Sequence, residues 1–186
     1  MARTNESRRD FLKKGAVGVA GMALLSPVRE AGAQTPPPPP EKKIITRTLG
    51  RTGIEVPIVS MGARFDQPDQ IRAALDAGIR LVDTADTYGN GRHEEAIGEA
   101  VKGRPRDSFV VVDKIYMGMD AKTGLYPEDG KPEDFTAKFE ASLARLGLDH
   151  VDVLMLHDVV RGKSVRFEPY LSALRKEKQA GRTRFI

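Results

Sequence analysis

The 186-residue chain contains no cysteine. This absence excludes a thiol nucleophile, a disulfide framework and any cysteine-based zinc site. Long apolar runs are missing too. The apolar run at residues 15–25 has about 11 residues, against the roughly 20 that a membrane-spanning helix needs.

Outside the first 33 residues, the chain also lacks an excess of charge of one sign. Its pI of about 9.4 suggests a nucleic-acid-binding protein at first sight. However, the first 33 residues hold six Lys/Arg and three Asp/Glu, which accounts for most of the net charge of +4. The remainder is close to neutral and has no basic stripe that could follow a phosphate backbone. The charge pattern therefore predicts no nucleic-acid partner.

The N-terminus has the features of an export signal. Residues 7–13, SRRDFLK, precede the apolar run, and the small residues 31–33, AGA, follow it. This order resembles a bacterial twin-arginine (Tat) signal with its cleavage site. The resemblance implies a signal peptide at 1–33, a periplasmic protein exported already folded, and no integral membrane anchor once the signal is removed. The alternative is a basic N-terminus that holds two arginines by chance.

A proline-rich segment separates this signal from the rest of the chain. Residues 36–40 are five consecutive prolines, which favour an extended polyproline conformation. We interpret 34–45 as a stiff linker, with a ligand for a proline-recognition module as the alternative.

Residues 46–186 alternate between short apolar runs and helical spacing. This pattern indicates an α/β domain of repeated βα units, with a parallel sheet and right-handed crossovers. No Gly-x-Gly-x-x-Gly follows the first strand, so a (β/α)8 TIM barrel is favoured over an open dinucleotide-binding sheet. A closed barrel takes about 250 residues, so we expect only about its first half, strands 1–4 and the start of strand 5. The patterns predict a hairpin at 46–56, strands at 58–62, 79–84, 109–115, 151–156 and 183–186, and helices around 71–77, 93–102, 132–146 and 168–180.

Polar residues stand where the predicted strands end. Asp83 ends the second strand and Tyr88 follows in the loop, while Lys114 and His157 end the third and fourth strands. Because alternation places Lys114 and His157 on the inner face, these four residues, hereafter the tetrad, should converge. An ammonium held by a carboxylate favours ionisation of a nearby phenol, and an imidazole can hydrogen-bond a carbonyl oxygen. This set suits protonation of a carbonyl oxygen while its carbon receives a hydride.

The surrounding motifs resemble those of the aldo-keto reductase family. They are the hairpin LGRTG at 49–53, DTADTYG at 83–89 and EEAIG at 94–98, and the resemblance extends from residue 47 to 186. It implies a reductase of aldehydes or ketones that uses NADP(H). Tyr88 would then be the general acid, with Lys114 beside it, Asp83 holding Lys114, and His157 orienting the small carbonyl substrate.

The resemblance also suggests binding residues. Gly62, Ala63, Arg64 and Asp83 would touch the nicotinamide end of the cofactor, because most other cofactor contacts in the family come from the second half of the barrel. Tyr116 and Tyr126 would contact substrate, the latter from the loop at 117–131. No metal site is expected. His93 and His150 are interpreted as surface residues without a special role.

Asp113 and the segment at 158–160 depart from the family pattern, and three interpretations stay open. Asp113 stands where the family has Thr or Ser, although alternation turns it away from the barrel axis. The chain is either a reductase, as a truncated sequence or with a second chain covering its open half-barrel, or an inactive fragment without cofactor binding. A metal-dependent barrel hydrolase using His157 and Asp158 would leave Lys114 and Tyr88 unexplained.

Overall fold

The computed structural model describes residues 44–62 and 66–186, and within them the strands form two sheets. The first is an antiparallel hairpin in which Arg47 faces Val56. The second is a parallel sheet whose strands lie in chain order. The hairpin strands are β1 (Thr46–Thr48) and β2 (Glu55–Pro57), and the parallel strands are β3 (Leu81–Asp83), β4 (Val110–Ile115), β5 (Val151–Leu156) and β6 (Thr183–Phe185).

Helices connect the successive parallel strands, and one further helix precedes β3. Proline occupies the first turn of three of them, where its missing N–H costs no hydrogen bond. Gly147 ends the longest helix with φ at 63°, a left-handed conformation that glycine adopts without strain. The helices are α1 (Pro68–Asp76), α2 (Arg92–Val101), α3 (Pro132–Leu146), α4 (Gly162–Val165) and α5 (Glu168–Gln179), with 3-10 turns at Tyr88–Gly91 and Arg106–Ser108. Within 44–62 and 66–186, no helix has the length and apolarity that crossing a bilayer demands.

The structure confirms most of the predicted elements: the hairpin, the four later strands and the four long helices. The predicted strand at 58–62 is reduced to a single parallel bridge between Met61 and Val82. Its first residues, Ile58 and Val59, are more than half exposed and lie beyond the pairing with β3. The sequence patterns do not predict α4 and the two 3-10 turns, because these elements are too short to show helical periodicity. The predicted signal and almost all of the linker lie outside the described residues.

The two faces of the parallel sheet have different neighbours. On β4, Val111 and Ile115 belong to the main core, in which the helices pack against the sheet. Val110 faces the other way and packs against Ile54 and Val56 of the hairpin region. This second face, the inner face, is less covered towards the carboxyl ends of the strands, where Met155 is 44% exposed.

Candidate active site

The structure brings the four tetrad residues to one edge of the parallel sheet. Asp83 ends β3, and Lys114 is the next-to-last residue of β4. His157 directly follows β5 and continues its pairing, since its N–H donates to the carbonyl oxygen of Ile115 at 3.0 Å. Tyr88 begins the 3-10 turn after β3. The convergence predicted from strand alternation is therefore present.

The side-chain distances divide the tetrad into two pairs. Lys114 Nζ lies 2.5 Å from Asp83 Oδ1, and the same ammonium is 5.2 Å from the centre of the Tyr88 ring. Tyr88 Oη lies 3.5 Å from His157 Nε2, with the two rings nearly perpendicular and their centres 5.3 Å apart. A single substrate oxygen placed between Tyr88 and His157 could therefore hydrogen-bond to both, while the cation stands beside the phenol.

Backbone hydrogen bonds hold the loop that carries Tyr88. The N–H groups of Thr84 and Asp86 donate to the carbonyl oxygens of Val112 and Lys114, at 2.8 and 3.0 Å, and thus extend the β3–β4 ladder. The N–H of Tyr88 then donates to the Ala85 carbonyl at 3.0 Å. The phenol is therefore positioned by the same strand pairing that positions the lysine.

His157 is nearly buried and has polar neighbours on both ring nitrogens. Thr87 Oγ1 lies 3.4 Å from Nδ1, and Asp158 Oδ1 lies 3.6 Å from Nε2. The Asp158 side chain is largely exposed, which weakens its electrostatic effect on the imidazole. In the part of the chain that the structure describes, no three or more His, Asp or Glu side chains are grouped to hold a metal ion.

The two predicted substrate tyrosines lie in different environments. Tyr116 is half-buried beside the tetrad, with its ring edge-on to His157 at 6.2 Å between centres. Tyr126 is only 6% exposed and packs against Phe167 and Tyr170 at 5.6 and 4.9 Å between ring centres. Burial raises the pKa of Tyr126 to about 12. Tyr126 therefore supports the loop from inside the core and offers little surface to a substrate, unlike the wall that the sequence suggested.

The predicted cofactor residues are only partly described. Met61 pairs with β3 through its N–H to the Leu81 carbonyl, at 3.0 Å, and through its own carbonyl to the N–H of Asp83, at 3.2 Å. The following residue, Gly62, is exposed, and a Cβ there would contact none of the residues that the structure describes within 4 Å. Gly62 thus lies beside Asp83. Ala63 and Arg64 lie outside the described residues.

The prediction that His93 is a surface residue is wrong. His93 is 2% exposed, and its Nδ1 lies 2.9 Å from Oγ1 of Thr84. Thr84 directly follows Asp83 in the chain. Burial is the main cause that lowers the pKa of His93, so its imidazole is neutral at neutral pH. The sequence did indicate this burial, because His93 stands one helical turn before the apolar residue Ile97 and therefore lies on the same face of α2.

Asp113 faces away from the inner face, as alternation predicted, and it is fully buried against the helices. Its Oδ1 accepts a hydrogen bond from the N–H of Lys114 at 2.8 Å. Burial, followed by the nearby charge of Glu94, raises the pKa of Asp113 well above its usual value. Its side chain does not touch the Lys114 ammonium, which pairs with Asp83 instead.

Parallel βα units with polar residues at the carboxyl ends of their strands are the arrangement of a TIM barrel, here about half of one. Residues 63–186 match the aldo/keto reductase family, and the chain belongs to that family. L-galactose dehydrogenase of Arabidopsis thaliana is 34% identical over 160 residues, which cover 77% of this chain and 48% of that protein. The NADH-specific methylglyoxal reductase of Escherichia coli K12 is 36% identical over 125 residues, 59% of this chain and 38% of that one.

Solved structures share the same fold. An aldo-keto reductase from Bacillus halodurans in its holo form superposes with a TM-score of 0.62 at 25% identity, over 77% of this chain and 49% of that one. An aldo-keto reductase from Klebsiella pneumoniae in complex with NADPH gives a TM-score of 0.58 at 26% identity, over 72% and 45%. The chain spans about half the length, or less, of the relatives that it matches.

Proposed function

We propose that the protein is an NADP(H)-dependent oxidoreductase that reduces an aldehyde or ketone to the alcohol, with Tyr88 as the general acid. The observation that carries the proposal is the 3.5 Å separation of Tyr88 Oη and His157 Nε2, with the Lys114–Asp83 ion pair directly beside the phenol. Membership of a family of oxidoreductases supports it. The substrate class and the cofactor come from the family resemblance.

The geometry suggests a division of labour within the tetrad. Tyr88 and His157 hydrogen-bond the substrate oxygen and orient the carbonyl group. Tyr88 then gives its proton to that oxygen, and the Lys114 ammonium stabilises the phenolate that remains. Asp83 keeps the ammonium in place through the 2.5 Å contact. A bound nicotinamide supplies the hydride that reaches the carbonyl carbon.

The described residues fit the nicotinamide end of the cofactor. Asp83 uses Oδ1 for Lys114 and its side chain is 35% exposed, so the carboxylate is still within reach of a bound carboxamide. An added Cβ on Gly62, beside it, would contact none of the described residues within 4 Å. By the family resemblance, Ala63 and Arg64, which lie outside the described residues, would touch the same end of the cofactor. By the family resemblance, the rest of the dinucleotide is held by the other half of the barrel, on a second chain or a further segment that covers the inner face around Met155.

We also propose that residues 1–33 direct the protein through the Tat pathway to the periplasm, with 34–45 as linker and 46–186 as the barrel half. Fractionation of cells that express the wild type and an R8K/R9K variant tests this step. The variant should remain in the cytoplasm. Equal periplasmic amounts of both would contradict the proposed signal.

Oxidation of NADPH by the purified chain, with methylglyoxal as the carbonyl probe, tests the activity. Tyr88→Phe should lower the rate about 100-fold or more, because it removes the acid group. Tyr126→Phe is the matched control, since it removes a tyrosine hydroxyl outside the tetrad and should keep the wild-type rate. Equal rates for Tyr88→Phe and wild type would refute the role of Tyr88. If the wild type neither turns over nor changes NADPH fluorescence, the result would support the alternative, an inactive fragment without cofactor binding.

A further inference from the structure

Both backbone polar groups of Tyr116 are held by side chains from other elements. The N–H of Tyr116 donates to Asp86 Oδ1 at 2.9 Å, from the loop after β3. Its carbonyl oxygen accepts from Lys138 Nζ on α3 at 2.7 Å. The two holding side chains also face each other, with Lys138 Nζ 3.6 Å from Asp86 Oδ2. Asp86 and Lys138, hereafter the clamp, thus enclose one residue just past the end of β4.

The position of Tyr116 explains why the clamp restricts its movement. A residue that follows a parallel strand has left the ladder, and its backbone groups are ordinarily free to bond with water and to move. Asp86 is tied to β4 as well, because its own N–H donates to the Lys114 carbonyl at 3.0 Å. The loops that follow β3 and β4 are therefore fixed to each other immediately beside the tetrad.

Burial decides which contact contributes most. The Asp86 side chain is 8% exposed, so its bond to the Tyr116 N–H is shielded from water. The Lys138 side chain is 46% exposed, and its ion pair with Asp86 alone would contribute little. The stronger contribution of Lys138 is its charge-assisted hydrogen bond to the Tyr116 carbonyl.

We propose that Asp86 and Lys138 are positioning residues that hold Tyr116 beside the tetrad and so fix one wall of the substrate site. The role of Tyr116 toward a substrate rests on the proposed function. The hydrogen bonds that hold Tyr116 are a property of the protein without substrate. With the backbone held on both sides, the Tyr116 ring keeps its edge-on orientation to His157. Substrates with a bulky group should depend on this wall, and the smallest carbonyl compounds should not.

A kinetic comparison separates the clamp from the tetrad. Lys138→Met should raise KM for 4-nitrobenzaldehyde about fivefold, as expected for one lost hydrogen bond, and leave kcat nearly unchanged. Methylglyoxal, which is too small to reach the wall, should keep its KM. Lys138→Arg retains a donor for the carbonyl and should restore the KM, while Lys176→Met, at an exposed position of α5, serves as the matched control. An unchanged KM for the aromatic aldehyde, or an equal rise for both substrates, would overturn the proposal.

An NMR comparison does not depend on turnover. In the resting chain, Tyr116→Leu should shift the ring-proton resonances of His157, because it removes the neighbouring aromatic ring. Lys138→Met should shift them in the same direction, and Lys176→Met should not. Wild-type His157 resonances in Lys138→Met would refute the clamp whatever the activity. A shift in a chain without activity would support the clamp and remove only its assignment to a substrate wall.

Discussion

Replacing Asp113 by asparagine should stabilise the folded protein at neutral and alkaline pH. Asp113 is fully buried on the helix-facing side of β4, and its Oδ2 has no hydrogen-bond partner among residues 44–62 and 66–186. Burial and the charge of Glu94 raise its pKa well above the usual value, against a smaller opposite effect of the hydrogen bond from Lys114. The surroundings of Asp113 in the folded chain therefore disfavour its ionised form.

The raised pKa gives this cost a definite pH dependence. Between the ordinary aspartate pKa and the raised value, folded Asp113 keeps its proton while the unfolded chain loses it. The free energy of unfolding therefore decreases as the pH rises through this interval, and above it the full cost is present. Asparagine keeps the oxygen that accepts from the Lys114 N–H and does not ionise, so the variant avoids the loss.

The size of the effect follows from the charge, because asparagine leaves an unpartnered amide group where aspartate leaves an unpartnered oxygen. Each unit by which burial raises the pKa of a carboxyl group corresponds to about 1.4 kcal/mol that the ionised form costs. Asp113→Asn avoids that cost and should add about 1 kcal/mol or more, which corresponds to a rise of about 2–4 °C in Tm for each kcal/mol in a chain of this size. Because the carboxylate is protonated in acid, the gain should shrink towards low pH.

Thermal and urea unfolding, followed by circular dichroism at about pH 8 and about pH 5, measure this difference. Asp129→Asn, at an exposed position, is the matched control and should change Tm little at either pH. A lower Tm for Asp113→Asn at about pH 8, or a gain that is larger in acid, would refute the reasoning.

Three further substitutions test the packing around the site. Gly98→Ala would place a Cβ 2.7 Å from a backbone carbonyl oxygen of α3. It should lower the free energy of unfolding in urea by about 1–3 kcal/mol. Gly162→Ala is the control and should leave it unchanged, because a Cβ there meets no described residue within 4 Å and the φ of Gly162 is not positive. Arg145→Met leaves the fully buried Glu94 without its 2.6 Å partner and should lower the free energy of unfolding by about 3 kcal/mol; an unchanged urea midpoint would contradict the buried pair. Tyr126→Phe should abolish the tyrosine titration near pH 12 and add about 1 kcal/mol, because the buried hydroxyl has no partner among the described residues. Wild-type stability should fall above about pH 10, where unfolded tyrosine ionises. The fall should be smaller in the variant, although burial also raises the pKa of Tyr170, which still contributes to it. An equally large fall in the variant would count against the assignment.

The tetrad could be predicted from the sequence because strand geometry is regular. Side chains alternate with a period of two, and parallel strands present their carboxyl ends at one edge. The apolar runs before Asp83, Lys114 and His157 therefore determined both the face and the edge at which these residues meet. The strand predicted at 58–62 is mostly absent, because an apolar run does not show whether a neighbouring strand pairs with it along its whole length.

Burial of single polar residues could not be predicted in the same way. The sequence suggested a surface position for His93 and a substrate contact for Tyr126, yet both are buried, His93 beside Thr84 and Tyr126 against Tyr170 of α5. Their environment depends on how helices and loops pack, which is a tertiary property. Helical spacing from Ile97 indicated the buried side of His93, but for Tyr126, within an irregular loop, no periodicity applies.

The contacts around Tyr116 show where this limit matters for function. Its two partners are 30 and 22 residues away in sequence, on a loop and on a helix, and no repeating pattern connects them. The residues proposed for the chemical step stand at strand ends and can therefore be predicted from periodicity, whereas the proposed substrate wall depends on side chains that reach between elements. On the proposal above, aldo/keto reductase chains with the same tetrad can differ in substrate through residues such as Lys138, which lies outside the motifs that carry the tetrad. For this chain, substrate preference should therefore be sought in the loops after β3 and β4 and in the face of α3 that supports them.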